Sequence, residues 1–144
     1  MALQHDIPLL TLAASGDLST KQYYLVKIDS NGQVAVAGAG EAAIGVLQTK
    51  PSAQGDVCSV APLIGTKLIA LAGGSFSPGA FLAANASGKL VSATKGKVDT
   101  SDAGAAADPL IGSHVVGIAL ETGADGSYVQ FMAIALGAVP TTAA

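Results

Sequence analysis

Residues 24–34 read Tyr24-Leu25-Val26-Lys27-Ile28-Asp29-Ser30-Asn31-Gly32-Gln33-Val34, and this stretch decides the fold class. Asn31-Gly32 stands between the apolar alternations Val26/Ile28 and Val34/Val36, and an Asn-Gly pair readily takes the positive φ values of a tight hairpin. The same pattern returns as Asn85-Ala86-Ser87-Gly88 between Phe81/Leu82 and Leu90/Val91. Gly123-Ala124-Asp125-Gly126 predicts a third hairpin loop.

Working outward, short β-type runs alternate with Gly, Asn, Asp, Ser and Pro clusters along the whole chain. They predict strands near 6–13, 22–28, 33–37, 43–49, 57–62, 66–71, 80–84, 89–93, 114–121 and 127–135. No window of a dozen residues carries apolar side chains at helical spacing with caps at both ends. The expected fold is all-β, a small β-sandwich or barrel of many short strands.

The hairpins also expose an internal repeat. Residues 24–34 align with 80–90 at an offset of 56. Ala43-Ile44-Gly45-Val46-Leu47 aligns with Val115-Val116-Gly117-Ile118-Ala119 at an offset of 72, and 54–60 with 125–131 at 71. Two copies of one motif (hairpin, loop, Gly-centred strand, turn, strand) are expected to share a core. The jump in offset marks an insertion at 94–113, polar and rich in small residues, which reads as an exposed contact loop. The expected organisation is an arm at 1–20, a β-domain at 21–135 and a tail at 136–144.

Composition limits the function. The chain has 144 residues, a net charge of −3, 50% hydrophobic and 12% charged residues, seven lysines and no arginine. Nucleic-acid backbones demand clustered cations, and base edges favour the guanidinium fork. Lys89, Lys95 and Lys97 are the one local cluster, with Asp99 and Asp102 close behind, so no nucleic-acid partner is expected. No apolar run reaches the ~20 residues of a membrane span, and no secretory leader is read at the start. A soluble protein made in a reducing cytoplasm, with no membrane partner, is the expectation.

Catalytic chemistry is sparsely represented. The single Cys58 lies in an apolar alternating run and reads as a buried structural thiol. His5 and His114 are the two histidines, and no Gly-x-Ser-x-Gly elbow accompanies them. Asp17, Asp29, Asp56 and Asp125 sit in turns, where carboxylates satisfy backbone donors. Gly38-Ala39-Gly40 lacks a dinucleotide fingerprint's third glycine and its βαβ context, and no calcium loop is present. No enzyme, no cofactor and no metal site are expected. Tyr23 and Tyr24, adjacent in an expected strand, should point to opposite faces, the outward ring being an interface candidate together with Lys95, Lys97, Asp99 and Asp102.

The run from Ala14 through Gly38, with Ser15-Gly16-Asp17, a spacer, a strand and Asp29-Ser30-Asn31-Gly32-Gln33-Val34, resembles the small capsid decoration, or cement, proteins of tailed phages. Gly45-Val46-Leu47 and Gly117-Ile118-Ala119 resemble the same family's Gly-centred strands, so the resemblance spans roughly residues 7–135. It implies a β-domain on the outer capsid surface, commonly trimeric, that binds the major capsid protein and stabilises the shell. It also implies an N-terminal arm that adds to a capsid strand, here Ala2 to Leu12. The capsid-binding candidates are then Ala2, Leu3, Gln4, His5, Asp6, Ile7, Pro8, Leu9 and Leu10. Other functions compatible with the residues are a head fibre base or tail-tube module, or a small β-barrel carbohydrate-binding module or enzyme.

Overall fold

A computed structural model describes residues 8–94 and 112–138. Ten strands occur among them: β1 Leu10–Ala13, β2 Leu25–Ile28, β3 Val34–Val36, β4 Gly45–Leu47, β5 Val57–Pro62, β6 Ile64–Leu71, β7 Phe81–Ala84, β8 Leu90–Ser92, β9 His114–Ala119 and β10 Tyr128–Ala138. They form two antiparallel five-stranded sheets, ordered β1-β5-β4-β2-β3 and β6-β10-β9-β7-β8. The second order is the first with every strand advanced by five, so the repeat in the sequence is a repeat of topology. The all-β expectation holds.

The choice between sandwich and barrel resolves into elements of both. An isolated bridge joins Ala14 to Val34 in the first sheet, and Ala72 to Leu90 at the equivalent place in the second. Each sheet therefore curls until its two edge strands meet, as in a small partly open barrel. The two curled sheets then pack on one another.

The copies share their local chemistry. Asp29 Oδ1 accepts from the N–H groups of Asn31 and Gln33, both at 2.9 Å. Asn85 Oδ1 accepts from Ser87 and Lys89 at 2.9 and 3.0 Å. Only the glycine of each turn is left-handed, Gly32 at φ 75° and Gly88 at φ 79°. Asn31 does not share the positive φ, so these are turns followed by a left-handed glycine rather than two-residue Asn-Gly turns. Gly45 and Gly117 centre their strands because a Cβ on either would run into a neighbouring carbonyl, Ala61 and Met132 respectively.

Two apolar clusters result. The smaller fills the first barrel with Ala14, Leu18, Val26, Val34, Leu47, Cys58 and Val60. The equivalents Ala72, Phe76, Leu82, Leu90, Ala119, Val129 and Phe131 belong to the larger cluster, which also contains Leu25, Val46 and Ala61 from the outer wall of the first barrel. One core is thus private to copy one, while the other cements copy two onto copy one's outside.

Several expectations need correction. The arm expected at 1–20 is part of the domain from Leu10 onward, because β1 pairs with β5 from Leu10↔Val60 to Ala13↔Val57. β1 is the counterpart of β6, so this segment belongs to the repeat after all. Its signal is weak because a strand of four residues carries little periodicity. At the other end β10 runs to Ala138, taking in the first residues of the expected tail. The 94–113 insertion lies mostly outside the described residues, as do residues 1–7 and 139–144.

Candidate assembly surface

Several of the chemical groups among the described residues are occupied locally. His114 opens β9, where its N–H donates to the Gly40 carbonyl at 3.1 Å and its ring Nδ1 lies 3.1 Å from the same oxygen. The imidazole thereby clasps the β3–β4 loop of copy one to copy two. Cys58 is buried, its Sγ 3.3 Å from the Leu12 carbonyl, and burial pushes its thiol above the ordinary range. Asp17 accepts from Ser19, hydroxyl and backbone, and those bonds hold its carboxyl below the usual value. Lys27 and Glu41 form an exposed ion pair, which lowers the Glu41 carboxyl. Among the described residues no three His, Cys, Asp or Glu side chains gather as metal ligands would. No helix among them is long and apolar enough to cross a membrane.

The tyrosines sit differently from expectation. Both precede β2 instead of lying in it, and both are half-buried. Tyr23 packs edge-on against Tyr128 with ring centroids 5.6 Å apart, and Tyr24 carries the Lys21 ammonium 4.8 Å above its ring. The Tyr23 contact joins copy one to copy two, and the Tyr24 contact is local. Lys95, Lys97, Asp99 and Asp102 lie outside the described residues, as do Ala2 to Ile7. Pro8, Leu9 and Leu10 are exposed and lead into β1, an edge strand of its sheet.

An apolar face that the sequence reading did not single out lies on the outer wall of the second barrel. Register puts Lys67, Met132, Ile118 and Phe81 side by side across β6, β10, β9 and β7. In the neighbouring row Ile69 stands opposite Gln130. Phe81 is 49% exposed and Ile69 44%, while Ile118 and Met132 are half-buried. The matching row in copy one is Ala61, Val46 and Leu25, and these are at most 1% exposed. The repeat alignment held the signal, since it sets Phe81 on Leu25 and Ile118 on Val46. Alternation alone hid it, because an outward apolar residue in a strand has no partner until the copies are placed.

Comparison with known proteins bears on the fold. No protein family profile matches the sequence, and no curated protein does. One solved structure with the same architecture is the N-terminal base of the head fibre protein gp8.5 of bacteriophage phi29. The likeness covers 88% of this chain and 92% of that one, with a TM-score of 0.58 and 19% sequence identity.

Proposed function

We propose that this protein is a structural component of a tailed-phage head, seated on the outer surface of the shell as a fibre base is, bound to the major capsid protein and assembled as a homotrimer. The observation that carries the proposal is the likeness of fold to the phi29 head fibre base over 88% of this chain. The decoration-protein resemblance of residues 7–135 supports the same location. Between a base and a cement protein, the fold comparison favours the base.

The physics of the molecule suits that role. A shell-bound component needs complementary surfaces, not a cleft. Here the exposed apolar side chains lie on strand walls and on an edge strand, and an open edge is what strand addition uses. Many modest contacts repeated over a shell act together. No catalytic step forms part of the proposal.

The test is co-sedimentation of the purified protein with emptied phage heads and with unexpanded precursor shells. Saturable binding to expanded shells is expected, and binding to neither would refute the proposal. Thermal disruption of the loaded shells then separates the two roles. A cement protein raises the disruption temperature strongly, whereas a base leaves it near that of bare shells.

A further inference from the structure

The two copies meet head to tail, not face to face. Copy two presents its hairpin turn and β6 to the outer wall of copy one: the Leu25 N–H donates to the Gly88 carbonyl at 2.8 Å, Gly88 abuts the Val36 side chain, and β6 touches β4. Such a contact uses two different surfaces, so each copy owns both and only one of each is consumed.

The two leftover surfaces are visible as asymmetries between equivalent residues. On the acceptor side Leu25 is 0% exposed and its counterpart Phe81 49%. Ala37 is buried and its counterpart Ala93 half-exposed. On the donor side Leu68 is 6% exposed and its counterpart Leu10 41%. Gly88 is buried, whereas Gly32 is exposed with open space around it. Leu25, Ala37, Leu68 and Gly88 are buried, and their twins Phe81, Ala93, Leu10 and Gly32 are each more exposed.

We propose that the outer wall around Phe81, Ile118 and Met132 is covered by a second copy of this chain, whose Gly32 turn and Leu10 dock there as, within one chain, the Gly88 turn docks on Leu25 and Leu68 joins the apolar cluster that holds Leu25 and Val46. The Phe81 N–H would then donate to the neighbour's Gly32 carbonyl. A heterologous contact of this kind closes into a ring when its rotation permits. In a trimeric ring six copies of the motif would alternate around one axis, three contacts lying within chains and three between them. The occupant is argued from the chain itself, because the first copy already carries the complementary shape. This inference rests on the homo-oligomer part of the proposed function.

The experiment uses the full chain in solution, sized by sedimentation velocity and native mass spectrometry. The wild type should be a closed oligomer, while Phe81→Asp and Leu10→Asp should each be monomeric. Phe81→Asp keeps a good donor surface and Leu10→Asp a good acceptor, so an equimolar mixture should form a one-to-one heterodimer and nothing larger. Ser92→Arg beside the acceptor and Asn31→Trp at the tip of the donor turn are exposed positions, and they repeat the test without touching packed side chains. A monomeric wild type, dimers of either single variant, or a mixture that stays monomeric would overturn the inference. Shell binding is scored separately. A monomeric wild type that binds shells refutes this interface alone, and an oligomeric wild type that ignores shells refutes the head-surface role alone.

Discussion

Tyr23 in the first copy and Gly79 in the second occupy the same place in the repeat, and both have left-handed backbones, φ 69° and φ 86°. Each donates its N–H to the last residue of its copy's Gly-centred strand, Tyr23 to Leu47 at 2.8 Å and Gly79 to Ala119 at 2.7 Å. Left-handed φ is routine for glycine and costs other residues about 1 kcal/mol or more. The Tyr23 carbonyl also accepts from Leu71 of copy two at 3.1 Å, and its ring meets Tyr128. Strain in the first copy is therefore offset by attachment to the second.

That offset predicts a coupling. Tyr23→Gly should relieve strain but lose the edge contact, which is worth roughly 0.5–1.5 kcal/mol beyond its buried area. In a Tyr128→Ala background the same substitution should be neutral or stabilising. Urea unfolding of the four proteins gives the coupling energy directly. Equal effects of Tyr23→Gly in both backgrounds would show that the ring contact does not hold the strain in place.

Gly45→Ala and Gly117→Ala should each destabilise by roughly 1–3 kcal/mol, since the added methyl is driven into a paired strand's backbone. Gly16→Ala is the control, because nothing lies within 4 Å of a Cβ built there. For a domain of this size a loss of 1 kcal/mol lowers Tm by roughly 2–4 °C. Melting curves that leave the first two variants level with the control would refute the close-approach explanation.

Cys58 predicts an alkaline limit to stability. Burial raises its thiol, so the folded chain holds that proton more tightly than the unfolded one. The contribution is complete below the unfolded thiol value, about 8.5, and is lost as pH rises through the folded value. Cys58→Val should flatten that part of the stability–pH curve, and native Cys58 should alkylate only as fast as the protein opens. Rapid alkylation under native conditions would contradict its burial.

Shell binding by the N-terminal segment can be tested cleanly only by respecting β1. Removing 2–8 should abolish co-sedimentation with shells and leave the circular dichroism spectrum and Tm intact. Removing 2–12 also takes most of β1, and with it Leu12, which packs on the first barrel's core, so that truncation should unfold at lower temperature. Undiminished shell binding by the shorter truncation would show that the segment is not the shell anchor.

Local chemistry was enough to specify the strands, the two capped turns and the repeat, because side-chain alternation, Asp29 or Asn85 at the head of a turn and glycine at its end act over a few residues. Those same local rules placed the Gly-centred strands and made the fold all-β. The sequence did not reveal β1 as a repeat member, since its four residues find their identity only by pairing with β5. Nor did it distinguish Phe81 from Leu25, which are both apolar, both follow the same pattern and both head the same strand. Tertiary structure decided that difference: the second barrel packs on the first one's wall and leaves its own wall uncovered. A head-to-tail contact between two copies always leaves one surface of each kind unused, and nothing in a repeat's alternation says which copy keeps it.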